Sequence, residues 1–82
     1  MEVLTKEELQ YYLDEYSLLD EKAEQCQDAI KRNGYELYLT GDEGIITSIL
    51  LMRKSKHEYL DKMEALEKEF KKRTGRNLKD FF

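Results

Sequence analysis

Apolar residues in the first third of this chain advance by threes and fours: Leu9, Leu13, Tyr16, Leu19, Ala23, Cys26 and Ile30. Steps of that size follow the 3.6-residue turn of an α-helix and keep every member on one stripe. A second series, Ile49, Met52, Tyr59, Met63, Leu66 and Phe70, runs at heptad spacing, with Lys56 in its one polar slot and Leu60 widening the stripe. Two long amphipathic helices in only 82 residues leave little choice. The fold class expected is mainly α: an antiparallel helical hairpin forming a single domain over residues 1–82.

Local signals place the ends. Thr5-Lys-Glu-Glu8 has the form of a capping box, a hydroxyl followed three residues later by a carboxylate, so the first helix should begin near Thr5. Lys31 and Arg32 suit the negative end of a helix dipole, and Asn33-Gly34 offers a left-handed stop. The first helix is therefore expected over about 5–32. The second is expected over about 48–74, ending at Thr74-Gly75, with a short C-terminal turn over 76–82 that brings an apolar Phe81-Phe82 end needing cover.

Between the helices lies NGYELYLTGDEG, Asn33 to Gly44, with three of the four glycines. Tyr35, Leu37 and Leu39 alternate with Glu36, Tyr38 and Thr40, the period of a strand with one covered face. Thr40-Gly-Asp-Glu-Gly44 reads as a turn in which Asp42 bonds nearby backbone, and the β-branched Ile45-Ile46-Thr47 suits a returning strand. A short β-hairpin over about 35–47 is the expectation, and its open edges would pair with those of neighbouring subunits.

The apolar residues that follow decide the assembly. On a helix, Ile45, Ile46, Ile49, Leu50, Leu51 and Met52 point all around the axis, more than one neighbouring helix covers. With so small a core available to one chain, a homo-oligomer is expected, its interface built from these six residues together with Leu37 and Leu39.

Charge is asymmetric along the chain. Nine of the eighteen acidic residues precede Lys31, against only Lys6 and Lys22, whereas Lys71, Lys72, Arg73, Arg76 and Lys79 cluster near the end. Complementary faces on antiparallel helices explain this. The alternative uses are an acidic face for a basic partner and a basic tip for phosphate or nucleic acid. With a net charge of −4, DNA binding is expected to be weak or absent. One cysteine, no signal-peptide pattern and no apolar run long enough for a membrane point to the cytoplasm and to no membrane partner.

Catalytic chemistry finds no footing. His57 lies among Lys54, Lys56 and Glu58 without metal-ligand or base partners, Cys26 sits on the apolar stripe, and Gly41-Asp-Glu-Gly44 lacks the lysine and hydroxyl of a phosphate loop. No enzyme, cofactor or metal is expected. Of six tyrosines, Tyr11 and Tyr12 cover two sides of the first helix near its start, which makes them candidates for partner contact.

One resemblance accompanies this layout. A helix ending Ile30-Lys-Arg-Asn-Gly34, a β-like segment with a glycine turn, and a long helix reaching Leu66-Glu-Lys-Glu-Phe70 is similar to the central oligomerisation region of phage terminase small subunits. It spans roughly Tyr16 to Phe70. The resemblance implies a phage-encoded, ring-forming component of DNA packaging that partners the large terminase subunit in the host-cell cytoplasm, with Asn33, Gly34 and Leu66 to Phe70 in structural roles. No helix-turn-helix precedes Thr5, so the DNA-reading part of that family is not expected here. A second reading, from the acidic first helix, is a small phage or mobile-element regulator that binds a host protein as a helical dimer.

Overall fold

The computed structural model describes residues 3–82; Glu2, one of the acidic residues counted above, lies outside them. Two helices form an antiparallel hairpin: α1 over Lys6–Thr40 and α2 over Gly44–Thr74, followed by a 3-10 turn over Leu78–Phe81. The rod measures 55 × 16 × 16 Å, the length that 35 residues of helix span at about 1.5 Å each.

The start of α1 is built by its capping box. The Thr5 hydroxyl accepts from the Glu8 N–H at 3.1 Å, and the Glu8 carboxylate accepts from the Thr5 N–H at 3.2 Å. Two N-terminal donors with no partner inside the helix are thereby satisfied. At the far end of α2, Gly75 takes the left-handed conformation (φ 73°) and its N–H donates to the Lys71 carbonyl, while Lys71, Lys72 and Arg73 face the negative pole of the dipole.

The β-hairpin expected over 35–47 is absent: among the described residues there is no strand. Helix α1 runs on through Asn33-Gly34 to Thr40, and α2 begins at Gly44, so only the turn itself falls where expected. Leu37 explains why. It lies seven residues beyond Ile30, on the inward stripe, where a continuing helix half-buries it opposite α2. A two-stranded hairpin would be marginal in water, whereas helix continuation bonds every backbone group for the ~1 kcal/mol that one interior glycine costs. Alternation in Tyr35, Leu37 and Leu39 is equally the pattern of one inward and two outward helical positions. The stop falls at Gly41, which is left-handed (φ 66°) and donates to the Leu37 carbonyl. Asp42 donates its N–H to the Thr40 hydroxyl at 3.2 Å and accepts from the Gly44 N–H at 2.9 Å, closing the turn.

Packing is uneven along the rod. Among the described residues, every buried one lies from the middle of the rod to the end remote from the turn: Tyr12, Tyr16, Leu19 and Ala23 of α1, Met63 and Phe70 of α2, and Leu78 of the 3-10 turn. Phe70 and Leu78 are each 1% exposed. Phe70 meets Tyr12 and Phe81 edge-on at 5.4 and 5.5 Å, and Phe82 lies against Tyr16 at 5.2 Å. The C-terminal turn thus folds back to close the foot of the hairpin. From Cys26 to Lys56 the facing residues are only half-buried at best, and Lys56 in the polar slot donates to Gln27 at 2.7 Å.

Because Gly34 is helical, with open space where a Cβ would stand, Gly34→Ala should raise stability by about 0.5–1 kcal/mol. At Gly41 the same change forces a left-handed alanine and should lower stability by about 1 kcal/mol or more. Denaturant titration of both variants checks the pair; a loss at Gly34 would restore the expected stop there.

Candidate association surface

The eight residues expected to join subunits divide between two environments. Leu37, Ile45, Ile49 and Met52 turn inward and are half-buried along the seam between the helices. Leu39, Ile46, Leu50 and Leu51 face solvent, at 61%, 43%, 58% and 60% exposure. Tyr35 and Tyr38, read from the sequence as faces of a strand, stand out from α1 beside them at 65% and 85% exposure. The signal that would have found them is the helical stripe Lys31, Tyr35, Tyr38, in steps of four and three.

The structure therefore gathers six large apolar side chains around the turn end of the rod. On α1 they point away from α2; on α2, Ile46 and Leu50 lie on one flank of the inward stripe and Leu51 on the other, by helical geometry. Single exposed apolar residues are ordinary; here six lie within about two helical turns of the loop, spread over both helices and leaving this end of the rod rich in exposed apolar surface. A charged collar borders it on the side toward the foot, where Lys31, Arg32, Arg53 and Lys54 are all exposed, and Glu36, Asp42 and Glu43 are exposed at the turn itself.

The foot is a different kind of surface, polar and internally satisfied. The Tyr12 hydroxyl donates to Glu69 at 2.7 Å and accepts from Arg73 at 3.0 Å, and Arg73 pairs with Glu8 at 2.7 Å. The Tyr16 hydroxyl donates to Glu67 at 2.7 Å, and Lys79 reaches the same carboxylate at 3.5 Å. Two expectations change here. Tyr12 is core, 2% exposed, so of the proposed tyrosine pair only Tyr11 is available to a partner. The C-terminal basic cluster is not one open patch either: Arg73 is half-buried and engaged with Glu8 and Tyr12, while Lys71, Lys72, Arg76 and Lys79 are exposed, Lys79 reaching Glu67 at 3.5 Å. The charge complementarity of the two helices is realised between them at Glu8–Arg73, whereas most acids of α1, among them Asp14, Asp20, Glu21, Glu24 and Asp28, face solvent.

Among the described residues no group of three or more His, Cys, Asp or Glu is placed to hold a metal ion, and no helix is long and apolar enough to cross a membrane. His57 is exposed and Cys26 half-buried. No buried side-chain nitrogen or oxygen among the described residues lacks a hydrogen-bond partner. Comparison with protein-family models, with characterised proteins and with solved structures gives no significant match.

The foot network makes stability depend on pH at both extremes. Hydrogen bonds from Arg73 and then from Thr5 hold the Glu8 carboxyl below its ordinary value of 4.5. Its contribution is thus present above about pH 4.5 and is lost as pH falls through the lower folded value. Burial, reinforced by the Glu67 carboxylate, pushes the Tyr16 hydroxyl up to about 12 from 10.0. That contribution is complete below pH 10 and disappears as pH rises toward 12. Thermal melts at pH 3, 7 and 11 should show both losses; Glu8→Gln should blunt the acid one and Tyr16→Phe the alkaline one.

Proposed function

We propose that this protein works by association and not by catalysis, as a helical hairpin that self-assembles through its turn end and presents the rest of the rod to a macromolecular partner. The single observation behind this reading is the apolar belt of Tyr35, Tyr38, Leu39, Ile46, Leu50 and Leu51, which one chain leaves in water. Association there would also cover the half of the hairpin whose own seam is loosest, so assembly and local ordering reinforce each other.

Two forms of this function differ in their partner. The resemblance to terminase small subunits casts the protein as a ring-forming phage packaging component that meets the large terminase subunit, with Lys71, Lys72 and Arg76 left for weak contact with DNA phosphates. The open acidic face of α1 favours the second form, a small phage or mobile-element regulator whose dimer engages a basic surface of a host protein. The strand edges expected to join ring neighbours are not there to serve the first form, which leaves helix-face packing as the means of assembly in both.

Light scattering over a concentration series tests the common part. A particle heavier than the 9.8 kDa chain is expected, and Leu50→Glu combined with Leu51→Glu should return it to monomer with its helical circular dichroism kept, since both side chains are exposed. A wild-type monomer at every concentration would overturn the proposal. A closed ring selects the packaging form. A dimer whose capture of a host protein weakens with salt selects the regulator.

A further inference from the structure

The outer stripe of α1 carries an order of residue types that specifies how a second copy would lie on it. Toward the turn the stripe reads Lys31, Tyr35 and Tyr38, and Asp42 follows in the turn just past the helix end at Thr40; all four are exposed. The sequence of types is base, aromatic, aromatic, acid. Such a stripe is self-complementary only when reversed.

We propose that the turn end of the hairpin binds a second copy of this chain in antiparallel overlap, with α1 against α1, Tyr35 packed on the partner's Tyr38 and Lys31 paired with the partner's Asp42. The proposal rests on the self-association reading above and adds its geometry. A two-fold axis between Tyr35 and Tyr38 repeats each contact, as an isologous interface requires. The overlap needed is short. Lys31 and Thr40, the last residue of the helix, are nine residues apart, about 14 Å at 1.5 Å per residue, and Asp42 lies in the turn just beyond.

Helix α2 repeats the same order of charge along the axis, behind the α1 stripe. Glu43 and Lys54 are eleven residues apart, both exposed, and between them lie Ile46, Leu50 and Leu51. The same antiparallel overlap brings the acidic turn of each chain level with the basic collar of the other on both helices. A parallel arrangement does the reverse. It would bring the two collars level with one another, with Lys31 and Arg32 of each chain nearest the contact, and stack the two acidic turns. Like charges set opposite one another disfavour that register, so the charges choose orientation while the apolar residues supply the attraction.

From their exposures, Tyr35, Tyr38 and Leu39 present on the order of 450 Å² on the outer side of α1, so the contact lies at the small end of specific interfaces, where ~800 Å² per partner is standard. Two tyrosines on each side of the seam are the residue type that contributes contact area at low entropic cost and leaves a hydroxyl at the wet rim.

Cross-linking distinguishes the orientations. In a Cys26→Ser background, chains carrying Lys31→Cys are mixed with chains carrying Asp42→Cys under mild oxidation, and the disulfide-linked dimers are resolved by mass. The mixed dimer should exceed either homodimer by about tenfold. Predominance of the Asp42→Cys homodimer would overturn the antiparallel arrangement while leaving self-association in place. Wild-type chain that stays monomeric in light scattering would overturn both. As a second measurement, Lys31→Glu should weaken the dimer about tenfold, since the change disrupts two symmetric charge pairs. Adding Asp42→Lys should recover most of that loss, and no recovery in a folded double variant would also overturn the proposed pairing.

Discussion

Two helices meet along one line, and everything else about this protein follows from how little that line can bury. A third element is needed to enclose a side chain on all sides. At the foot the C-terminal turn supplies it: Leu78 and Phe81 close over Phe70, Tyr12 completes the cluster, and Phe82 covers Tyr16. At the other end no third element comes. The inward residues from Cys26 to Lys56 reach only partial burial, and the outward apolar ones stay in water. The rod is therefore a molecule with one finished end and one unfinished end.

The polar contacts respect that division. Tyr12, Tyr16, Glu67, Glu69, Glu8 and Arg73 form a satisfied network around the aromatic cluster, where partial removal from water strengthens each bond. The middle has a single cross-helix hydrogen bond of this kind among those resolved, Lys56 to Gln27, set where the heptad series is broken by a polar residue. Beyond it the charges are exposed and ordered along the axis, acids at the turn and bases behind the belt. Charges placed so are poor contributors to the stability of one chain. They suit the alignment of two.

A functional reading framed around association needs no constellation of reacting groups. What it requires is a surface whose cost in water a partner would remove, and the turn end exposes six large apolar side chains. The apolar belt would be a liability in a monomer. Paired, it would let the loose half of the hairpin share a core that each chain is too short to build alone.

Much of the fold was legible in the sequence because its signals are local. The Thr5–Glu8 capping box, the inward stripe from Leu9 to Ile30, the turn at Thr40 to Gly44 and the end at Gly75 are all set by neighbours within a few residues, and each lies where spacing and capping chemistry place it. The apolar surplus between Ile45 and Met52 was legible too, though not which half of it would face inward. Tertiary structure decided the rest. Asn33-Gly34 and the alternation after it satisfy a strand or a helix equally well, and only Leu37 meeting the α2 seam selects the helix. Tyr12 and Leu78 became core, and Arg73 left the basic cluster, because residues some sixty positions apart come together at the foot. Short-range geometry is written in adjacent residues; which of several exposed stripes is buried depends on what the other end of the chain brings to it.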